Sequence, residues 1–302
     1  MTKLKILITG SQGFLARNLA LSLKEKKFKV YGIGRGGWKG NQYKKWGYKK
    51  NLNTKINLKS LTKYQIKFDY IIHCAGKVIG LEPEDDFQRN VLTTQSVLEY
   101  MSQIKKKPKL ILMSTLAVYG NSKEQTLTEK SKINPISNYA INKLLAEQLC
   151  KFYNLKYKID IMILRTGSLF GPGLKRQFIF DACTKIKKNI NIFFGTGEEI
   201  RDWLFIDDMT NLIFKIIKKN FKDIKIINVG SGKGIKIKDI ITYICEKMHK
   251  DIKPKFNGYG KNSNPKILIS STKEAKKFLW SPKKKFFEGL DLYINWFKKE
   301  HD

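Results

Sequence analysis

Hydrophobic positions come in strand-length blocks separated by stretches of helical spacing. Residues 3–8 run from LK into ILI, an apolar block that predicts a buried first strand. Residues 14–26 place Leu15, Leu19 and Leu23 on one helical face, and residues 28–33 return to strand. The alternation continues with a strand at 68–73, a helix at 85–103 ending before Pro108, and a strand at 109–114. A long amphipathic helix at 137–155 and a strand at 159–164 follow. Residues 34–50, rich in Gly, Lys and Trp, predict a loop or short helix. Strands and helices alternating at this spacing imply a doubly wound parallel α/β sheet covered on both faces.

Past Gly171 the pattern loosens. Residues 176–188 read as a helix, and DWLFIDDM as a short strand entering a helix with Asp207 or Asp208 as its cap. KIINVG is a strand, 236–247 a helix, the surroundings of Ile267 a last strand, and 285–299 a terminal helix. This half is expected to be a smaller α/β cap.

Composition changes that picture little. The formal charge is +33, but only six of the 59 basic residues are arginine; the other 53 are lysines spread over the whole chain. No basic tail, zinc finger or stacking-aromatic motif accompanies them, so a solvated lysine-rich surface is expected and nucleic acid is not. No apolar run has membrane-spanning length and no signal peptide opens the chain, so no membrane partner is expected. Four scattered cysteines suit a reducing, cytoplasmic setting. Three histidines show no metal-ligand spacing, and no metal is expected. Among the arginines, Arg35, Arg165, Arg176 and Arg201 fall at strand ends or in loops beside glycines, where planar two-pronged phosphate recognition is expected.

Two stretches carry chemistry. In ITGSQGFLA, Gly10 and Gly13 permit a tight turn between first strand and first helix, with Phe14 and Leu15 opening that helix. Such a turn lets backbone N–H groups and the positive helix end meet a pyrophosphate. Ala16 stands where the pattern has its third glycine. An acid normally ends the second strand and holds the ribose of NAD; here Gly34 and Arg35 occupy that place, and the arginine leans toward NADP. The second stretch is SNYAINKLLAEQL, with Tyr139 and Lys143 four apart. With 13 tyrosines and this many lysines, about two such pairs arise by chance. There are three: Tyr119/Lys123, Tyr139/Lys143 and Tyr243/Lys247. Only the second follows a strand ending in Ser114-Thr115, in a chain that opens with a dinucleotide turn.

TGSQGFLA, IIHCAG, STLAVYG, Tyr139-x-x-x-Lys143, LRTGSLFGPG, GTGEEIRDWLFIDDM and NVGSG occur in this order. Together they resemble the extended short-chain dehydrogenase/reductase family, in its group of nucleotide-sugar epimerases, dehydratases and 4-ketoreductases. The resemblance implies a Rossmann-type domain binding NAD or NADP over 1–170. It implies a cap mainly binding a nucleoside-diphosphate sugar over 171–302, with the chain crossing back to the sheet. Tyr139 would be the acid/base, with its pKa lowered by Lys143, which also binds the nicotinamide ribose. Thr115 would hydrogen-bond the reacting oxygen. Ala75, Gly76 and Asn90 would lie along the cofactor. Ser168, Arg176 and Arg201 would meet the sugar nucleotide, though Ser168 replaces the family's asparagine. Leu116 and Ala117 stand where dehydratases carry Asp-Glu, which disfavours 4,6-dehydration. The expected activity is 4-epimerisation by transient oxidation at C4, with an NADPH-dependent 4-ketoreductase as the alternative. A non-catalytic NAD(P)-binding protein is the remaining class, against which the Thr115/Tyr139/Lys143 set argues. By analogy a homodimer is expected.

Overall fold

The computed structural model describes residues 3–76, 82–259 and 264–301. Its first unit comprises residues 1–115, 138–165 and 210–227, and its second 116–137, 166–209 and 228–302. The chain thus passes between units several times; the sequence reading puts the main division after residue 170, with the chain crossing back to the sheet.

In the first unit, β1 (Lys5–Thr9), β2 (Lys29–Gly34), β3 (Lys50–Asn53), β4 (Tyr70–His73), β5 (Lys109–Thr115), β6 (Ile161–Thr166) and β10 (Ile224–Val229) form a seven-stranded parallel sheet in the order β10-β6-β5-β4-β1-β2-β3. Register is set by backbone pairing such as Ile6 with both Val30 and Tyr70, and Tyr70 with Lys109. The central strands are almost wholly apolar and buried, as a sheet covered on both faces requires. The helices here are α1 (Phe14–Glu25), α2 (Leu58–Thr62), α3 (Pro83–Phe87), α4 (Thr93–Ser102) and α5 (Asn138–Tyr157), with the later part of α7 (Ile206–Lys219). The expected helix at 85–103 is α3 and α4 joined by a π-helical turn, Gln88–Leu92. Such turns are frequent at functional sites.

The second unit holds β7 (Ser168–Phe170), α6 (Gln177–Lys187), β8 (Ile192–Phe193), β9 (Ile200–Phe205), β11 (Gly234–Lys236), α8 (Ile237–Lys247), β12 (Lys255–Phe256), β13 (Ile267–Leu268), α9 (Lys273–Lys276) and α10 (Phe286–His301). Central β9 pairs with β7, β11 and β13. Asp207 and Asp208 lie within the first turn of α7 and not at its cap. Asp208 accepts from the backbone N–H groups of Lys283 and Lys284, which anchors the segment before α10.

Candidate active site

The glycine turn has the geometry of an anion cradle. Gly10 takes φ +67°, and a Cβ there would lie 2.8 Å from the Ala75 Cα. Only glycine lets β1 and the end of β4 approach this closely. The Gly13 N–H donates to Gly10 O at 2.8 Å, and α1 then starts with no side-chain cap and no acid in its first turn. The first-turn N–H groups of Phe14 and Leu15 are therefore offered to an anion. Beneath the turn the buried Tyr48 hydroxyl donates to Ser11 O (2.9 Å) and Ala16 O (3.0 Å). Ser11 Oγ and Gln12 Nε2 are buried with no hydrogen-bond partner among the described residues. Close backbone approach, an open helix end and unspent polar atoms fit a dinucleotide. At the end of β2, Arg35 is exposed.

Thr115 ends β5, and Tyr139 and Lys143 lie one turn apart on α5. Tyr139 is partly exposed, but its hydroxyl end is enclosed and hydrogen-bonded to the Thr115 side chain. The buried Lys143 donates its Nζ proton to Met113 O at 3.0 Å and lies 5.9 Å from the centre of the Tyr139 ring. Beside it is Gly76, with φ +152°; a Cβ there would come within 2.5 Å of Asn90 Oδ1 and 3.1 Å of Lys143 Nζ. Asn90, on the π-helical turn, donates to the Asp86 carboxylate and to Asp86 O (3.2 Å). The structure thus gathers Thr115, Tyr139, Lys143, Gly76 and Asn90 in the first unit, with Ala75 beside the glycine turn.

The electrostatics depart from the sequence expectation. Burial holds the Tyr139 phenol well above its ordinary pKa, and the Asp86 charge adds to this; only the Thr115 hydrogen bond opposes them. The Lys143 amine is itself pushed down to about 8 by burial, against the pull of Cys74, Asp86 and Glu147. Sequence reasoning missed Asp86, which sits in an acidic run, EDD, that reads as a solvated helix start. It also missed Glu147, which lies one turn past Lys143.

Arg165 is not free for phosphate, because its guanidinium is wholly buried against Glu147. In the second unit Ser168 is partly buried on β7, and Arg176 is exposed at the start of α6. Arg201 is buried, which pushes its pKa down to about 10. It donates to Ile200 O (2.9 Å), Lys266 O (3.4 Å) and Asn264 Oδ1 (2.5 Å). The acceptors that hold Arg201 are thus protein groups. Among the described residues no His, Cys, Asp and Glu group could hold a metal ion, and no helix is long and apolar enough to cross a membrane.

A glycine cradle at the first strand end and a Thr/Tyr/Lys set at the end of β5 define a nucleotide-dependent oxidoreductase or isomerase. The chain belongs to the NAD dependent epimerase/dehydratase family, whose model matches residues 6–230. It is 29% identical to a UDP-glucuronate 4-epimerase of Thermodesulfobacterium geofontis, over 97% of this chain and 96% of that one. A GDP-6-deoxy-D-talose 4-dehydrogenase of Aggregatibacter actinomycetemcomitans is 25% identical over 80% of each chain. Among solved structures, the UDP-glucuronic acid 4-epimerase of Bacillus cereus, in complex with UDP-glucuronic acid and NAD, has a TM-score of 0.87. It is 25% identical, over 99% of this chain and 100% of that one.

Proposed function

We propose that this enzyme is a nucleotide-sugar 4-epimerase using NAD and acting on a uridine diphosphate sugar. The observation that carries the reading is the intact Thr115/Tyr139/Lys143 arrangement in a chain similar over nearly its whole length to UDP-glucuronate 4-epimerases. Gly10, Gly13, Phe14 and Leu15 would hold NAD, which when bound would supply an acceptor able to take up and return a hydride. Thr115 and Tyr139 hold the oxygen on sugar C4. Tyr139 takes its proton as C4 is oxidised and gives it back when the ketone is reduced from the other face. Lys143 keeps a positive charge one turn away, favouring proton loss from Tyr139 once substrate is in place, and binds the nicotinamide ribose. Ala75, Gly76 and Asn90 line the cofactor. Leu116 and Ala117 bring no acid to C5 or C6, which argues against dehydration.

On the sugar-nucleotide side we assign Ser168 and Arg176, with Arg201 in support behind its protein acceptors. A second reading, an NADPH-dependent 4-ketoreductase, is favoured by Arg35 at a strand end without a carboxylate and by the similarity to the 4-dehydrogenase. A homodimer through α5 is supported by its exposed Ile141, Leu145, Phe152 and Leu155.

The test supplies UDP-glucose, UDP-glucuronic acid and their 4-keto forms with NAD, NADH and NADPH. The expected result is a C4-inverted product with no net change in nicotinamide absorbance. Tyr139→Phe is expected to cut kcat by about 1,000-fold. Net NADPH consumption on a keto sugar, without inversion, would replace the first reading by the second.

A further inference from the structure

Helix α5 turns a charged side inward. Asn142, Lys143 and Glu147 are buried, whereas Ile141, Leu145, Phe152 and Leu155 are exposed. Glu147 is 0% exposed and Arg165, near the end of β6, 1%. Arg165 Nε donates to both Glu147 oxygens at 3.0 and 3.2 Å, and Nη2 to Oε2 at 2.6 Å. Ser114 Oγ donates to Glu147 Oε1 at 2.5 Å. One carboxylate therefore ties α5 to both β5 and β6, at the residue immediately before Thr115. A buried ion pair seldom stabilises more than apolar residues of the same volume would. Stability alone therefore gives little reason for this pair.

We propose that Glu147 is a positioning residue: gripped by Arg165 and holding Ser114, it fixes the end of β5 against α5 so that Thr115 and Tyr139 address one oxygen. Its carboxylate also lies one turn along α5 from Lys143 and supports that ammonium. The proposal rests on reading Tyr139 as the acid/base. The ionisable groups around Lys143 are His73 in β4 and Cys74 just past it, Asp86 from α3, and Tyr139 and Glu147 from α5 itself. Of these, Asp86 and Glu147 are the carboxyl groups. Glu147 also neutralises Arg165, whose cation would otherwise oppose that of Lys143.

Glu147→Gln keeps the shape and an acceptor for Ser114 but removes the charge. It is expected to lower kcat for C4 inversion by about 100-fold with KM nearly unchanged, as misalignment of reacting groups does. Its alkaline limb is expected at lower pH, because Lys143 loses a neighbouring anion. Ser114→Ala leaves the ion pair whole; it is expected to fold and to lower kcat about ten-fold without moving that limb. If Glu147→Gln does not fold, Ser114→Ala and Arg165→Lys carry the test, the latter keeping the charge without the two-pronged grip and expected to lower kcat as Ser114→Ala does. Wild-type kcat in Ser114→Ala, or an unmoved alkaline limb in folded Glu147→Gln, overturns the proposal. If the wild type inverts no nucleotide sugar, the epimerase reading alone fails. The titration of Lys143 is then read from unfolding free energy against pH, with Lys143→Met as reference. An unshifted midpoint in Glu147→Gln overturns the proposal there too.

Discussion

Two helices of this molecule, α5 in the first unit and α8 in the second, carry the same Tyr-x-x-x-Lys spacing and nearly the same local geometry. The lysine Nζ lies 5.9 Å from the ring centre in Tyr139/Lys143 and 5.2 Å in Tyr243/Lys247. The surroundings differ. In α8 the Tyr243 hydroxyl donates to Asp291 Oδ1 at 2.9 Å and Lys247 lies 3.3 Å from the same oxygen, in a solvated setting. Hydrogen bonding to Tyr243 and then Asp291 holds Lys247 above its ordinary pKa. In α5 burial pulls Lys143 down to about 8, and its Nζ donates to a neutral carbonyl, Met113 O. The third match, Tyr119, spends its buried hydroxyl on Asn228 Oδ1 at 2.8 Å. Spacing on a helix therefore produces the contact in both places, and what separates the two pairs is burial for Lys143 against a solvated carboxylate for Lys247.

The comparison can be broken hardest at Glu147. Truncating one member of a buried ion pair strands the other, so Glu147→Leu is expected to cost about 3–5 kcal/mol in denaturant unfolding. Glu147→Leu with Arg165→Leu should recover most of that loss while activity stays low. Full recovery of activity in the double variant would mean that the charges around α5 serve the fold alone. Lys143 offers the next largest effect. Its folded pKa of about 8 lies below the ordinary 10.5, so the unfolded chain binds more protons between these values and stability climbs with pH across that window. The climb is expected to reach about 3 kcal/mol and to vanish in Lys143→Met, which is less penalised near pH 7 and inactive. Subtracting the two profiles removes the buried tyrosines and cysteines, whose unfolded-state titration falls in the same window. A flat difference would place Lys143 in the same class as Lys247.

Much of this was legible from the chain because the central strands are apolar blocks and the glycine turn sits at a fixed place between strand and helix. Lys50–Asn53 was not read as a strand, since KNLN carries no apolar run; backbone pairing to β2, Tyr31 to Lys50 through Gly34 to Asn53, makes it one. KIINVG reads as a strand, but only the tertiary order shows it at the sheet edge beside β6. Thr115, Tyr139 and Lys143 could be named because motif order singles them out. The titration of Tyr139 and Lys143 could not, because it depends first on burial and then on Asp86 and, for Lys143, Cys74 and Glu147, whose placement is unknown until the inward face of α5 is seen. Arg165 shows the same limit: a strand-end arginine beside a glycine suggests phosphate, and only the facing carboxylate of Glu147 on the preceding helix reveals where its guanidinium goes.

The smallest expected effect sharpens the comparison from the other side. Tyr243→Phe removes the hydroxyl that reaches Asp291 but leaves Lys247 beside that carboxylate. The bond lies at a solvated surface, where such interactions are worth less than about 1 kcal/mol, so the melting curve should barely move. Activity on the nucleotide sugar should stay within about two-fold of wild type, as for a surface change remote from the chemistry. The paired variant is Tyr139→Phe, with the same atom removed from the same motif on another helix. A ten-fold or greater loss in Tyr243→Phe, measured as kcat beside it, would mean that α8 takes part in the reaction and that burial is not what separates the two pairs. Equal melting curves with unequal rates would assign the whole difference to the environment of α5.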